Sequence, residues 1–499
     1  MNGARRALVV LSAAAALVGC AAPGSLPPPA QPLAPARVGL AASTTSEAPD
    51  RWWQSWGDPT LDALVARALA DAPSLQAAQA RIVRAAAQAQ GVAALDQPQL
   101  GLGVDVTRQR YTEHGLIPPP IAGGTYTNAN AQVSLGWEFD LFGRQRAALD
   151  AALGAERAAR ADAQAAAAAL ATQVVRTAVG LARVLAQRAV QQRTVTQREE
   201  MLALTRRRVQ AGLDTQVELR LAESAVPDAR QQLAALDEQA VLARHALAAL
   251  TVQPPEALAD YAPRLPDAIT LPRPEALGAD LLGRRADVSA ARSRVEAALA
   301  DVTSARAQFL PNVSLSAFVG LSALGLDRWL DLGSRTLGAG PALRLPLFDG
   351  GRLQANLRGR AAEADAAVAS YNAVVLDAVR EAADALGSLR SLAQQRDLQR
   401  QAALAAEAAY DAAQQRYRAG LSGYLLVLQA ESQVLAQSRL GVELHARELD
   451  TLAQLMRTLG GGVPPPNVAS RGGVPPPNAA SRGGVPPPDV AVSRTEATR

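Results

Sequence analysis

Asn128-Ala-Asn-Ala-Gln-Val-Ser-Leu-Gly-Trp-Glu-Phe-Asp140 decides the fold. Every odd position (Ala129, Ala131, Val133, Leu135, Trp137, Phe139) is apolar, and every even one is Asn, Gln, Ser, Gly, Glu or Asp. Side chains on a strand alternate between its two faces, and an ordinary strand averages about 5–6 residues. Alternation sustained this long, with Trp137 and Phe139 at one end, fits a membrane strand of ~9–11 residues and its aromatic girdle. The pattern recurs at Leu100, Leu102, Val104 and Val106. It recurs again where Val313, Leu315, Ala317, Val319 and Leu321 alternate with Ser314, Ser316, Phe318 and Gly320, and finally at Leu337, Ala339, Leu343, Leu345 and Leu347. Strands are therefore expected at about 99–108, 128–140, 312–321 and 335–348.

Working outward, each strand pair opens a long Ala/Arg/Gln-rich run, and the two runs repeat one another. Pro98 to Pro311 is 213 residues, Phe142 to Phe348 is 206, and Gly212 to Gly420 is 208. This exceeds the ~20–50-residue period of a solenoid, so it reads as two structural halves side by side. Gly143 to Gln210 contains no proline, and at 1.5 Å per residue such a helix is roughly 100 Å long. Gly212 and Gly420 are expected as left-handed caps closing the outgoing helices, with Leu213 and Leu421 beginning the returns. Pro227 stands where the second copy has Leu435, which predicts a kink in the first hairpin alone.

The chain then divides into a signal peptide (1–19), a lipidated tether (20–50) and a first repeat (51–252, with its hairpin at 143–250). A Pro-rich linker (253–280), a second repeat (281–462, hairpin 350–459) and a Pro-rich tail (463–499) follow. The motif Gly-Gly-Val-Pro-Pro-Pro recurs in the tail from Gly461, Gly472 and Gly483. With hardly any bulky apolar side chains, the tail is expected to be disordered.

Bulk properties exclude several function classes. A net charge of +4 over 499 residues, with 3% aromatics, is no nucleic-acid footprint. All 50 basic residues are Arg, which composition bias explains better than phosphate binding. His114, His245 and His445 are scattered, without metal-ligand spacing or a nucleophile beside them. No enzyme, metal site or cofactor is expected apart from covalent lipid on Cys20. This only cysteine follows a basic Arg5-Arg6 and an apolar Ala7–Val18, within Leu17-Val18-Gly19-Cys20. That sequence resembles a bacterial lipobox, and Ala21 in place of Asp implies delivery to the outer membrane. Ala7–Val18 is too short to span a bilayer as an anchor, and no apolar stretch of ~18 residues is expected elsewhere, so any spanning segment should be β. Four strands cannot close a barrel, whose open edges in lipid would be costly. Two chains would give eight strands and three would give twelve; a wet passage favours three.

Several landmarks then resemble one family. They are Trp52-Trp-Gln-Ser-Trp-Gly-Asp-Pro-Thr-Leu61, Arg285-Ala-Asp-Val288, Ala305-Arg-Ala-Gln-Phe-Leu-Pro-Asn-Val-Ser-Leu315, Pro346-Leu-Phe-Asp-Gly-Gly-Arg352 and the two Ala-Gly-Leu tips. In this order, over about Trp52 to Gly462, the chain resembles the TolC-type outer-membrane efflux proteins, in their NodT or OprM-like lipoprotein branch. The resemblance implies an α+β membrane protein: a trimeric twelve-stranded outer-membrane β-barrel, four strands per chain, continued by a long α-helical periplasmic tunnel with an internal two-fold repeat. It implies a passive conduit for small-molecule export, partnered by a periplasmic adaptor and an inner-membrane pump of the resistance-nodulation-division class. Gly212, Leu213, Asp214, Thr215, Gly420, Leu421 and Ser422 would be the adaptor-docking tips. Many family members narrow the periplasmic end with aspartates just beyond the second tip. Here Leu426-Val-Leu-Gln-Ala430 occupies that place, so Leu426 and Gln429 would form an apolar and amide constriction with little cation affinity. A type I protein-secretion conduit is the alternative cargo class. A periplasmic coiled-coil scaffold would leave the four alternating strands unexplained.

Overall fold

Alanine-rich helices bury surface by bringing backbones close together, and the long helices here do so. The computed structural model describes residues 26–40, 49–267, 269, 271–272, 278 and 283–462. The expected signal peptide, Cys20 and the tail from 463 lie outside the described residues. Helices α1 (Pro59–Asp71) and α2 (Pro73–Ala94) precede strands β1 (Gln99–Arg110) and β2 (Thr125–Phe139). Helices α3 (Arg144–Gln210) and α4 (Gln216–Leu250) form the first hairpin. Helix α5 (Ala286–Ala307) leads to β3 (Asn312–Leu324) and β4 (Arg335–Arg344), then to the second hairpin, α6 (Arg352–Arg418) and α7 (Tyr424–Thr458).

Both outgoing helices have 67 residues and both returning ones 35. Each hairpin boundary is displaced by one constant, since 352 − 144, 418 − 210, 424 − 216 and 458 − 250 all equal 208. Gly143 and Gly351, at φ 75° and 88°, start the two long helices from the left-handed region. Helix α3 packs on α5, α2, α4 and α7, and α6 packs on α5 and α7. Ala147, Ala151, Gly154, Ala158 and Ala161 are the buried residues of the first turns of α3. A Cβ placed on Gly154 would stand 2.8 Å from Ala297 Cβ, so α3 and α5 meet there at backbone distance.

The four strands form one antiparallel sheet in the order β1-β2-β3-β4. Alternation fixes the register, because a slip of one residue would exchange the faces. Leu100, Leu102, Val104, Val106, Val319, Leu337 and Leu343 stand exposed on the apolar side. Among the described residues, β1 and β4 each have one unpaired edge. Strand β4 stops at Arg344, short of the expected 348. Pro346 has no N–H to give to a ladder, and Leu345 and Leu347 continue beyond the sheet as exposed residues. Strands β1 and β3 run longer than expected, to Arg110 and Leu324.

Two other expectations are revised. The return helices begin at Gln216 and Tyr424, beyond Leu213 and Leu421, because residues 211–215 and 419–423 are spent on the caps. Helix α4 carries Pro227 inside its run, and Arg198 of α3 donates to the carbonyl of Ala225 at 3.0 Å, beside the proline. And α3 does contain an 18-residue window of mean hydropathy 1.4. Half of that window is buried within the protein, as suits a core helix.

The central core gathers around a short 3-10 helix, Trp52–Trp56. Trp52 packs edge-on against Trp53 and Trp56, with ring centroids 5.8 and 5.3 Å apart. The cluster includes Leu61, Leu64 and Val65 of α1, Val174, Val175 and Val179 of α3, and Leu452, Leu455 and Met456 of α7. Asp58 caps α1 through Thr60 and Leu61 N–H and accepts the Tyr261 hydroxyl at 2.8 Å, which ties down the linker. Ion pairs join the halves along α3 and α7, Arg176 to Asp450 at 2.6 and 3.2 Å and Arg183 to Glu443 at 2.9 Å. Residues 26–40 lie along α6: Ala30 N–H donates to Asp365, Leu33 N–H donates to Asn372, and Asn372 donates back to the Gln31 carbonyl.

Candidate functional site

The two hairpin tips are built alike at the backbone. Gly212 and Gly420 take φ 74° and 75°, the left-handed conformation that costs glycine least. Leu213 N–H bonds the Arg208 carbonyl and Leu421 N–H the Arg416 carbonyl, each at 2.8 Å, closing both helices the same way. The apolar side chains that follow point outward, Leu213 66% and Leu421 71% exposed.

The side chains differ. Thr215 and Glu218 form a reciprocal capping box at the start of α4, whereas Gly423 starts α7 with no side-chain cap. Asp214 turns inward, where Arg208 donates two hydrogen bonds to it at 2.9 and 3.2 Å. The Tyr417 hydroxyl, on α6, donates to the same carboxylate at 2.6 Å and lies 3.2 Å from the Thr205 hydroxyl. Arg208 also donates to the Tyr417 carbonyl at 3.1 Å and sits 4.5 Å over its ring. Burial alone would raise the Asp214 pKa, but Arg208 and Tyr417 hold the carboxyl below its ordinary value. Burial and the Asp214 carboxylate push Tyr417 up to about 12, so it remains a donor at physiological pH. Asp214 therefore fastens the first tip to α6, while Gly212, Leu213 and Thr215 stay exposed.

Beyond the second tip, Leu426 and Gln429 stand one helical turn apart on the exposed side of α7, with Leu425 beside them. Tyr424 and Val427 turn the other way, into a cluster with Met201, Ala222 and Tyr417. Glu431 is buried, 3.6 Å from Arg198, which also reaches Asp228 at 3.2 Å. Burial raises the Glu431 pKa, against the pull of Arg198. Sequence reasoning marked Asp214 but missed Tyr417, Arg208, Glu431 and Arg198. A signal was present, because Tyr417 and Asp214 align with Val209 and Ser422 at the 208-residue offset. Divergence between the copies marks where they touch.

A sheet with an exposed apolar face and open edges, joined to long paired helices with matched tips, defines an outer-membrane channel protein. The profile of the family described as "Outer membrane efflux protein" matches residues 64–252 and 277–461, and the chain belongs to that family. It is 34% identical over 426 residues to the multidrug resistance outer membrane protein MdtQ of Escherichia coli O6:H1, covering 83% of this chain and 88% of that protein. It is 32% identical over 470 residues to the multidrug resistance outer membrane protein MdtP of Shigella flexneri, covering 91% and 95%. Among solved structures, the outer membrane protein VceC of Vibrio cholerae superposes with a TM-score of 0.77 at 35% identity, covering 82% of this chain and 98% of that one. The outer-membrane channel OprN superposes at 0.79 and 29% identity, covering 89% and 99%. The protein is an outer-membrane efflux channel, and its family is a transport conduit rather than an enzyme.

Proposed function

We propose that three copies of the chain close a twelve-stranded barrel in the outer membrane, continued by a helical tunnel into the periplasm. The observation that carries this reading is the sheet itself. Its apolar face is exposed, its opposite face is mostly small and polar with Phe318 the exception, and among the described residues both outer edges are unpaired. Unpaired edges in lipid cost several kcal/mol per group, and pairing β4 of one copy with β1 of the next removes them. Cargo is a small molecule passing outward without chemical change, a reading supported by relatives named for multidrug resistance.

The tips are the docking surface for a periplasmic adaptor that couples to an inner-membrane pump of the resistance-nodulation-division class. Outward Leu213 and Leu421 supply the apolar contact, and Gly212, Thr215, Gly420 and Ser422 shape the turns around them, with Asp214 held beneath. Leu426 and Gln429 line a periplasmic constriction of apolar and amide character. Cys20 carries the lipid anchor. Leu26, six residues on, packs against Val302, Phe309, Leu353 and Leu357 at the sheet end of α5 and α6, and six residues span at most ~20 Å.

The test is a cysteine pair across the expected seam, one in β1 and one in β4. Oxidation should give an SDS-resistant, covalently linked trimer in outer-membrane fractions. Dimers alone, or monomers, would overturn the trimeric reading.

A further inference from the structure

The polar face of the sheet carries one feature that a water-filled passage does not require. Gly101, Ser134, Phe318 and Gly338 lie side by side in one row across the four strands. The rows on either side add Gly103, Gly136, Gly320 and Gly340, so six of these twelve positions are glycine. Removing Cβ atoms lowers the floor of the wall, and over three rows this makes a recessed belt about 14 Å tall. Phe318 is the only aromatic in it.

Geometry shows how the ring is held. A Cβ on Gly338 would sit 2.7 Å from Phe318 Cε1 and Cζ, so the ring lies directly over the bare glycine backbone. A Cβ on Gly320 would meet the Ala131 carbonyl oxygen at 2.3 Å, which keeps that neighbour small as well. An aromatic laid over a cross-strand glycine stabilises a sheet, and this accounts for one side of the ring. The other side is not covered: Phe318 is 38% exposed. Its strand partners Ser134 and Gly338 offer no apolar neighbour on that face.

We propose that Phe318, seated on the glycine belt, is a lumenal contact for cargo carrying a flat aromatic group. This inference rests on the barrel reading above. A fixed ring loses little freedom on stacking, and the recess leaves room for a second ring. Ser134, Ser316 and Gln132 supply polar atoms around the rim. Aromatic pairing of this kind gives about two- to tenfold preference, enough to favour one cargo class without trapping it.

Cys20 is the only cysteine, so Ser316→Cys introduces a single additional thiol, two residues along the same face. The full-length protein in lipid nanodiscs is treated with a water-soluble maleimide, with and without ethidium as a planar aromatic probe. Ethidium should slow labelling of Ser316→Cys about two- to tenfold. The slowing should vanish in Phe318→Ser/Ser316→Cys, and also in Phe318→Leu/Ser316→Cys, where apolar cover over Gly338 is kept. No slowing in Ser316→Cys, or equal slowing in all three proteins, overturns the proposal while leaving the barrel intact. If Ser316→Cys is unreactive and the opposite-face variant Val319→Cys is labelled instead, the barrel reading itself is wrong.

Discussion

The Tyr417 hydroxyl, near the end of one long helix, donates at 2.6 Å to Asp214 in the turn that ends the other. Neither residue has its counterpart in the opposite copy, so this contact exists once per chain. Asp214 and Arg208 are 7% and 12% exposed at the side chain, which places their interaction above the surface-pair range of ~0–1 kcal/mol. A hydrogen bond to a charged group contributes ~1.5–3 kcal/mol. Asp214→Ala should therefore speed amide exchange of residues 205–218 by about 10- to 100-fold, with the sheet unaffected. Unchanged exchange would mean the contact is idle.

The same contact has a defined pH dependence. Because the folded Asp214 pKa lies below its ordinary value, its stabilisation is present above the unfolded pKa of ~3.9. It is lost as pH falls through the depressed folded value. The difference in tip protection between wild type and Asp214→Asn should stay level from pH 8 to about 5 and shrink only below about 4. A difference that collapses near pH 6 would assign the effect to another group.

Glu431 has the opposite sign. Its folded pKa is raised by burial, so holding it ionised costs stability above that pKa, and the cost disappears as pH falls toward the ordinary ~4.3. Arg198 keeps Asp228 and the Ala225 carbonyl when the charge on Glu431 is removed. Glu431→Gln should raise Tm at pH 8 by about one or two degrees, with the gain fading near pH 4. A fall of several degrees at pH 8 would show that the buried pair is net stabilising.

At the α3–α5 crossing, Gly154→Ala puts its new methyl 2.8 Å from Ala297 Cβ. Overpacking of this kind costs ~1–3 kcal/mol. Gly154→Ala should lower the heat stability of the assembled protein, and adding Ala297→Gly should restore it. A double variant no better than the single would locate the damage elsewhere.

The proposed constriction can be converted chemically. In planar bilayers the wild type should conduct with little block by periplasmic-side multivalent cations such as hexamminecobalt. Leu426→Asp/Gln429→Asp supplies carboxylates that bind them, and should be blocked at concentrations at least tenfold lower. Tight block of the wild type would show that other acidic groups line the narrowest point.

Much of this architecture is legible in the sequence because periodicity is a local property. Period two in Asn128–Asp140 and the absence of proline from Gly143 to Gln210 each name an element without reference to the rest of the chain. The ends of elements depend on single residues in competition, and there the reading slipped. Pro346 ended β4 early, and the tip caps consumed five residues each. Contacts between elements were the least legible. Nothing in Tyr417 alone says that it meets Asp214, 203 residues earlier, or that Phe318 rests on Gly338. Such pairs follow from register and packing, which a single strand or helix does not encode.

The ion pairs that bind α3 to α7 have a practical consequence. Arg176 and Arg183, like every basic residue in the chain, carry guanidinium groups rather than amines. Amine-reactive cross-linkers, for their part, find no lysine anywhere in the sequence. Silence in such an assay says nothing about assembly; the oligomer has to be sought with thiol or carboxylate chemistry.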